Sequence, residues 1–192
     1  MILIKEDGTG LPNANAYANA ADGDAYHDGH LYATSWTNAT LANKEKALVF
    51  ATRVIDSQYR FHGYRATTTQ ALQWPRSNCP DQDSAPNSAG VAYFDSTHIP
   101  AVLINATCEM ARALLSTDRT AAAPGEGIDA TQTSASSSSK SGTTSSSVSN
   151  SSMTRYSKMD TRPTISQAAQ AFLSMLGNLR GQGSGPVPLT RV

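Results

Sequence analysis

Charge of either sign, aromatic rings, cysteine and long apolar runs are all scarce in this 192-residue chain, and each shortage excludes something. Cys79 and Cys108 are the only cysteines, too few for a disulfide framework and too far apart in sequence for a paired metal motif, so both read as free thiols. The longest apolar runs, Ala47 to Ala51 and Ile99 to Ile104, fall far short of the ~18 to 20 residues that a membrane span needs. The N-terminus, Met1-Ile2-Leu3-Ile4-Lys5-Glu6-Asp7, has no basic region ahead of a long apolar stretch, and no secretory signal is expected. With 7% aromatic and 16% charged residues, the composition suits one modest globular domain plus a poorly packing remainder.

The net charge is zero, yet residues 1–118 hold 8 basic and 12 acidic side chains and residues 119–192 hold 7 and 3. A basic rear segment of this kind commonly contacts something acidic, whether a subunit, a partner protein or nucleic acid. Between Thr131 and Ser152, 16 of 22 residues are Ser or Thr. Side chains so small and polar cannot bury enough apolar area to offset backbone ordering of ~1–2 kcal/mol per residue, so this tract is an extended arm outside the core. It is expected to form either a β-hairpin or strands that pair between subunits around Ser141-Gly142.

Ahead of the arm three helices are expected. Asn19 caps a short one over residues 20–26, ended by Gly29. Thr40 caps a second, residues 41–59, with Lys44, Ala47, Leu48, Ala51, Ile55 and Tyr59 near one face. Pro100 opens a third to about Ser116, on which Val102, Leu103, Ala106, Met110, Ala113 and Leu114 keep the 3.6-residue period. Residues 60–95, rich in Gly, Pro, Asn, Asp and Ser, form a long functional or interfacial loop. Behind the arm, Thr164-Ile165-Ser166-Gln167 has capping-box spacing, and Ile165, Ala168, Ala169, Phe172, Leu173, Leu176 and Leu179 make an apolar stripe before Gly181. That stripe must be buried on its own domain or in another molecule's groove; the residues from Gly181 to Val192 should be extended. The fold class is therefore mainly α: a small helical bundle with long loops, the Ser/Thr-rich arm and a C-terminal helix. The domain division is 1–118 for the body, 119–163 for the arm and 164–192 for a C-terminal docking helix and tail.

Candidate chemistry is thin. Asp24, His27, Asp28 and His30 share one helix face at metal-ligand spacing, but a solvated polar face explains them better. Gly8-Thr9-Gly10 has the flavour of a phosphate-binding turn without the third glycine, the Lys-Ser/Thr pair or an immediate helix, and a simple turn explains it better. No Gly-x-Ser-x-Gly elbow is present, and no catalytic residue, cofactor or metal is assigned. Arg53, Arg60, Arg65 and Arg76 are interleaved with Tyr59, Phe61, Tyr64 and Trp74, a mixture that could stack bases and neutralise phosphates, although with the front domain net negative a core closed by the aromatics with arginines laid along it is the favoured reading. Trp74-Pro75-Arg76 pins a large apolar anchor beside a cation fixed in direction.

The series Glu6-Asp7-Gly8-Thr9-Gly10-Leu11-Pro12-Asn13-Ala14-Asn15, Asp24-Ala25-Tyr26-His27, Gln70-Ala71-Leu72-Gln73-Trp74-Pro75-Arg76 and Ile99-Pro100-Ala101-Val102 resembles the head-tail connector, or adaptor, proteins of tailed bacteriophages. Some members of that group carry the label DnaT-like single-stranded-DNA-binding protein. The resemblance covers roughly residues 5–115, with Gln70, Leu72, Trp74, Pro75 and Arg76 as its specific part. It implies a structural, non-catalytic subunit of a ring, usually of twelve, under the portal of a virion. Its partners would be the portal protein, a tail or head-completion protein, and genomic DNA passing through the lumen, with no membrane contact. In that setting Ile165, Ala169, Phe172, Leu173, Leu176 and Leu179 would face the portal or a neighbouring subunit. The alternative, from a different class, is a single-stranded-DNA-binding or helicase-loading module that uses Arg60, Arg65, Trp74 and Arg76.

Overall fold

The structure is a computed structural model of the full chain, and it describes residues 2–86, 90–121, 130–141, 144–155 and 163–180. Gly142, Gly181 and the expected extended tail lie outside the described residues. The chain divides into two compact units, Met1–Asp118 with Thr164–Val192, and Arg119–Pro163.

Among the described residues of the larger unit five helices form in chain order: α1 (Ala20–Asp28), α2 (Thr34–Thr37), α3 (Leu41–Gln58), α4 (Ala101–Ser116) and α5 (Gln167–Leu173). The first is fixed by a reciprocal cap, in which the Asn19 side chain accepts from the Asp22 N–H while the Asp22 carboxylate accepts from the Asn19 N–H, and Gly29 closes it. Thr40 caps α3 and Pro100 takes the N-cap position of α4, where a missing N–H costs nothing. The cap of α5 is Ser166, whose hydroxyl accepts from the Ala169 N–H, two residues beyond the expected Thr164.

α4 lies between α3 and α5 and touches both. Its buried face, Leu103, Ala106, Met110 and Ala111, joins Leu48, Ala51 and Ile55 of α3 with Ala169 and Leu173 of α5 in one core. Burying a Leu or Ile here contributes about 1.5–3 kcal/mol. Trp36 on α2 fits beneath α1 only because residue 23 is glycine: a Cβ there would come within 2.3 Å of the indole.

Residues 60–95 are not one irregular loop. Three short strands, β1 (Tyr59–Phe61), β2 (Tyr64–Arg65) and β3 (Arg76–Ser77), begin where α3 ends. β2 pairs antiparallel with β3, Tyr64 opposite Ser77 and Arg65 opposite Arg76.

The arm contributes β4 (Ala130–Ser141) and β5 (Thr144–Arg155), paired antiparallel within this chain from Ala130 opposite Arg155 to Ser141 opposite Thr144. Of the two expected pairings, it is therefore the hairpin that is formed. The last strand, β6 (Gly177–Leu179), pairs antiparallel with β1, Tyr59 opposite Leu179 and Phe61 opposite Gly177. A side chain at 177 would meet the Arg60 carbonyl at 2.4 Å, so glycine permits this close approach. The expected helical stripe thus breaks after Leu173, and Leu179 belongs to a strand. No helix among the described residues is long and apolar enough to cross a membrane.

Candidate nucleic-acid interface

The Arg/aromatic segment separates into two populations. Tyr59, Phe61 and Trp74 are core residues, with the Trp74 ring edge-on to Phe61 at 6.0 Å and to Phe94 at 6.1 Å between centroids. Arg76 is 8% exposed, and its guanidinium is consumed by main-chain carbonyls: Nε donates to His62 (2.7 Å), Nη2 to Gly63 (2.6 Å) and Nη1 to Gln73 (3.1 Å). It locks the β1–β2 connection onto the Trp-Pro-Arg segment, and with Nη1 also reaching the Gln73 side-chain oxygen at 3.3 Å four of its five N–H donors are engaged.

Gln70 serves the same segment from inside. Its Nε2 donates to the Leu72 and Pro75 carbonyls at 2.9 and 3.0 Å, and its Oε1 accepts from the Thr67 N–H at 2.8 Å. Leu72 is buried in the core, and the Trp74–Pro75 peptide bond is cis. Trp74 and Arg76, expected as nucleic-acid contacts, serve instead as framework residues: the ring has no exposed surface and the guanidinium is 8% exposed and turned onto main-chain carbonyls.

Arg53, Arg60, Tyr64 and Arg65 are exposed, as is Arg180 immediately after β6. On β1 the order buried, exposed, buried turns Arg60 outward while Tyr59 and Phe61 face the core. Tyr64 is 58% exposed. Arg65 spends one donor on the Gln70 carbonyl, and Arg180 donates its Nε to the Tyr59 carbonyl at 3.0 Å. Among the described residues the ion pairs involve Lys5, His30, Lys44, His98 and Arg112, so these four arginines carry charge with no carboxylate paired to it. Arg180 is not among the residues the sequence singles out, since only the pairing of β6 with β1 brings it beside Arg60.

Behind this face lies Asp56, whose carboxylate accepts from the Tyr17 hydroxyl at 2.6 Å and from the Gln73 N–H at 3.1 Å. Burial pushes its pKa up to about 6, against those hydrogen bonds and the positive charges of Arg180 and Arg65. The folded state then holds a proton that the unfolded state has released between about pH 4 and 6. The Asp56 contribution to stability accordingly falls as pH rises through that window, by about 3 kcal/mol at 1.36 kcal/mol per unit. Asp56→Asn should flatten this dependence, measured as urea midpoint against pH; an unchanged slope would dismiss Asp56 as its source.

Gly8-Thr9-Gly10 does form an anion-holding turn, and the anion is internal. The fully buried Glu6 carboxylate accepts from the N–H groups of Gly8 (3.1 Å), Gly10 (2.8 Å) and Leu11 (2.9 Å). Positive φ at both glycines, +103° and +80°, makes the wrap possible. A free phosphate finds these donors occupied.

The apolar residues expected to face a portal or a neighbouring subunit are largely spent at home. Ile165, Ala169, Leu173 and Leu176 have no exposed surface, and Phe172 and Leu179 pack partly buried against the same core. Both cysteines are buried and unpaired, and burial raises their thiol pKa values to about 11 for Cys79 and about 12 for Cys108. Among the described residues no group of three or more His, Cys, Asp or Glu could hold a metal ion.

The family model described as "Putative DnaT-like ssDNA binding protein" matches residues 1–191. The chain belongs to this DnaT-like family. No curated protein and no solved structure gives a significant match. The match overturns the head-tail connector reading, because it takes in nearly the whole chain, arm and tail included, and its description names a DNA-binding protein rather than a virion part. With that reading go the portal and tail-side partners, the ring of twelve and the place in the virion. The shared Gln70 to Arg76 series, on which the connector resemblance chiefly rested, is a folding device, and a folding device does not distinguish one function from another.

Proposed function

We propose that this DnaT-like chain binds single-stranded DNA through Arg60, Tyr64, Arg65 and Arg180 on and beside the short β1–β6 and β2–β3 ladders. The observation that carries the reading is the set of exposed, carboxylate-free arginines around an exposed tyrosine, on a body whose first 118 residues are net negative. Arginine neutralises backbone phosphates, and a tyrosine ring gives a base a face to stack on, worth ~1–3 kcal/mol per base and tolerant of sequence. Binding of this kind weakens with salt, by a slope of about 0.7 per phosphate contacted on single strands.

Fluorescence anisotropy with a labelled oligothymidylate, between about 50 and 200 mM salt, tests it. Arg60→Ala combined with Arg180→Ala should make the log–log salt slope shallower by about 1.4. Tyr64→Ala should weaken binding roughly 5- to 100-fold at fixed salt with unchanged folding. Native affinity in both variants would place the DNA elsewhere.

A further inference from the structure

We infer that DNA binding at the arginine face takes up a proton at Asp56, so that affinity for single strands rises as the pH falls. The inference rests on the proposed DNA-binding reading and adds a regulation to that same site.

The geometry begins in the last turn of α3. Asp56 is half-buried there, with one carboxylate oxygen on the Tyr17 hydroxyl and the other on the Gln73 N–H. Two of the proposed DNA-contacting arginines are tied to the same end of the helix and to the same loop. Arg180 is fastened to the helix end by its main-chain N–H, which donates to the Gln58 carbonyl at 2.6 Å, and by Nε on the Tyr59 carbonyl. Arg65 reaches the Gln70 carbonyl, three residues before the N–H that Asp56 holds. Among the described residues, the charged and titratable groups facing Asp56 are Tyr17 from the N-terminal segment, Arg65 from β2, Arg76 from β3 and Arg180 after β6.

Two influences oppose one another at this carboxyl group. Burial favours the protonated acid, the positive charges of Arg180 and Arg65 favour the ion, and the balance leaves the pKa at about 6. A phosphate held by Arg65 or Arg180 changes only one side of that balance. It neutralises positive charge that stabilises ionised Asp56 and brings negative charge toward it, so the acid form gains in the complex. Tyr17 does not substitute as the titrating group, because burial and the neighbouring carboxylate hold its hydroxyl well above the ordinary range.

Linkage supplies the sign. Above about pH 6 the complex holds more protons than the free protein, so affinity falls as pH rises through the interval between the free and bound pKa values and levels off on either side.

Anisotropy with the labelled oligothymidylate, at fixed ionic strength between about pH 5 and 8, tests this, since its bases and phosphodiesters do not titrate there. Native protein should bind about three- to tenfold more tightly at the acid end. Asp56→Asn should bind equally across the range, near the affinity that native protein reaches at its acid end. Imidazoles gain charge over the same interval, and His62 lies between β1 and β2, so His62→Gln is the control and should retain the dependence. A flat native profile, a dependence that survives in Asp56→Asn, or one that vanishes in His62→Gln would overturn the inference.

A second readout needs no DNA. The Asp56 carboxyl carbon, followed by NMR in the full chain, should titrate at about pH 6 and move upward in Arg65→Ala and in Arg180→Ala. A midpoint unmoved in both would remove the coupling whatever the DNA does. Coupling present in this titration with no DNA bound at any pH would overturn the DNA-binding reading, and this inference with it.

Discussion

Trp74→Ala is expected to lower stability by about 3–5 kcal/mol, the usual loss when a buried indole is deleted and its site collapses only in part. Trp74 has no exposed surface and is held between Phe61 and Phe94, so the truncation opens a cavity where the strand ladders meet the helical core. Against a total of about 5–15 kcal/mol for a domain, such a loss shifts the urea midpoint down by a large fraction of its value. Trp74→Phe should cost much less. It retains most of the apolar volume and removes the Trp74 indole N–H, which is buried without an acceptor among the described residues. Equilibrium unfolding of the two variants separates a framework residue from a base-stacking one. A Trp74→Ala protein that keeps native stability while losing oligothymidylate binding would return Trp74 to the DNA interface.

What the sequence disclosed follows the range of the interactions involved. Asn19, Thr40 and Gly29 act on their own neighbours, and the helices they bound are found within a residue or two of their expected ends. The apolar spacing of α3 and α4 likewise says which side of each helix is buried, since both stripes need a partner and find one another. Contacts distant in sequence are another matter. Nothing near Gly177 announces a strand; it becomes one because β1 offers a free edge after α3 ends and a residue without a Cβ can approach it. The same remote pairing decides the site. An arginine with an aromatic neighbour reads identically whether its guanidinium meets water or three carbonyls, so Arg60 and Arg76 could be told apart only when the positions of His62, Gly63 and Gln73 were known. Trp-Pro-Arg stood out in the sequence because the fold depends on it, and the proposed DNA contact rests on the less conspicuous residues around it.

Removal of the Glu6 carboxylate is the second large effect. Glu6→Ala strips the acceptor from three main-chain N–H groups at Gly8, Gly10 and Leu11, in a turn whose donors converge on one point. Hydrogen bonds to a charged acceptor contribute about 1.5–3 kcal/mol each, and buried donors left empty cost about 1–3 kcal/mol each. Water can enter near Leu11, which is only partly buried, so the loss should be nearer about 3–5 kcal/mol than the full sum. Glu6→Gln keeps one oxygen in the turn and places an NH₂ group where the other stood; it should fall between native and alanine. The order native, Gln, Ala in thermal midpoint, with steps of several degrees, is the expected result, since about 1 kcal/mol corresponds to ~2–8 °C for domains of this size. The variants also report on phosphate. Emptying the turn in Glu6→Ala frees N–H groups of the kind that hold anions, so added inorganic phosphate should recover part of the lost midpoint in Glu6→Ala and leave the native protein unmoved. Equal stability across the three proteins would show that the turn is held by its neighbours and not by Glu6.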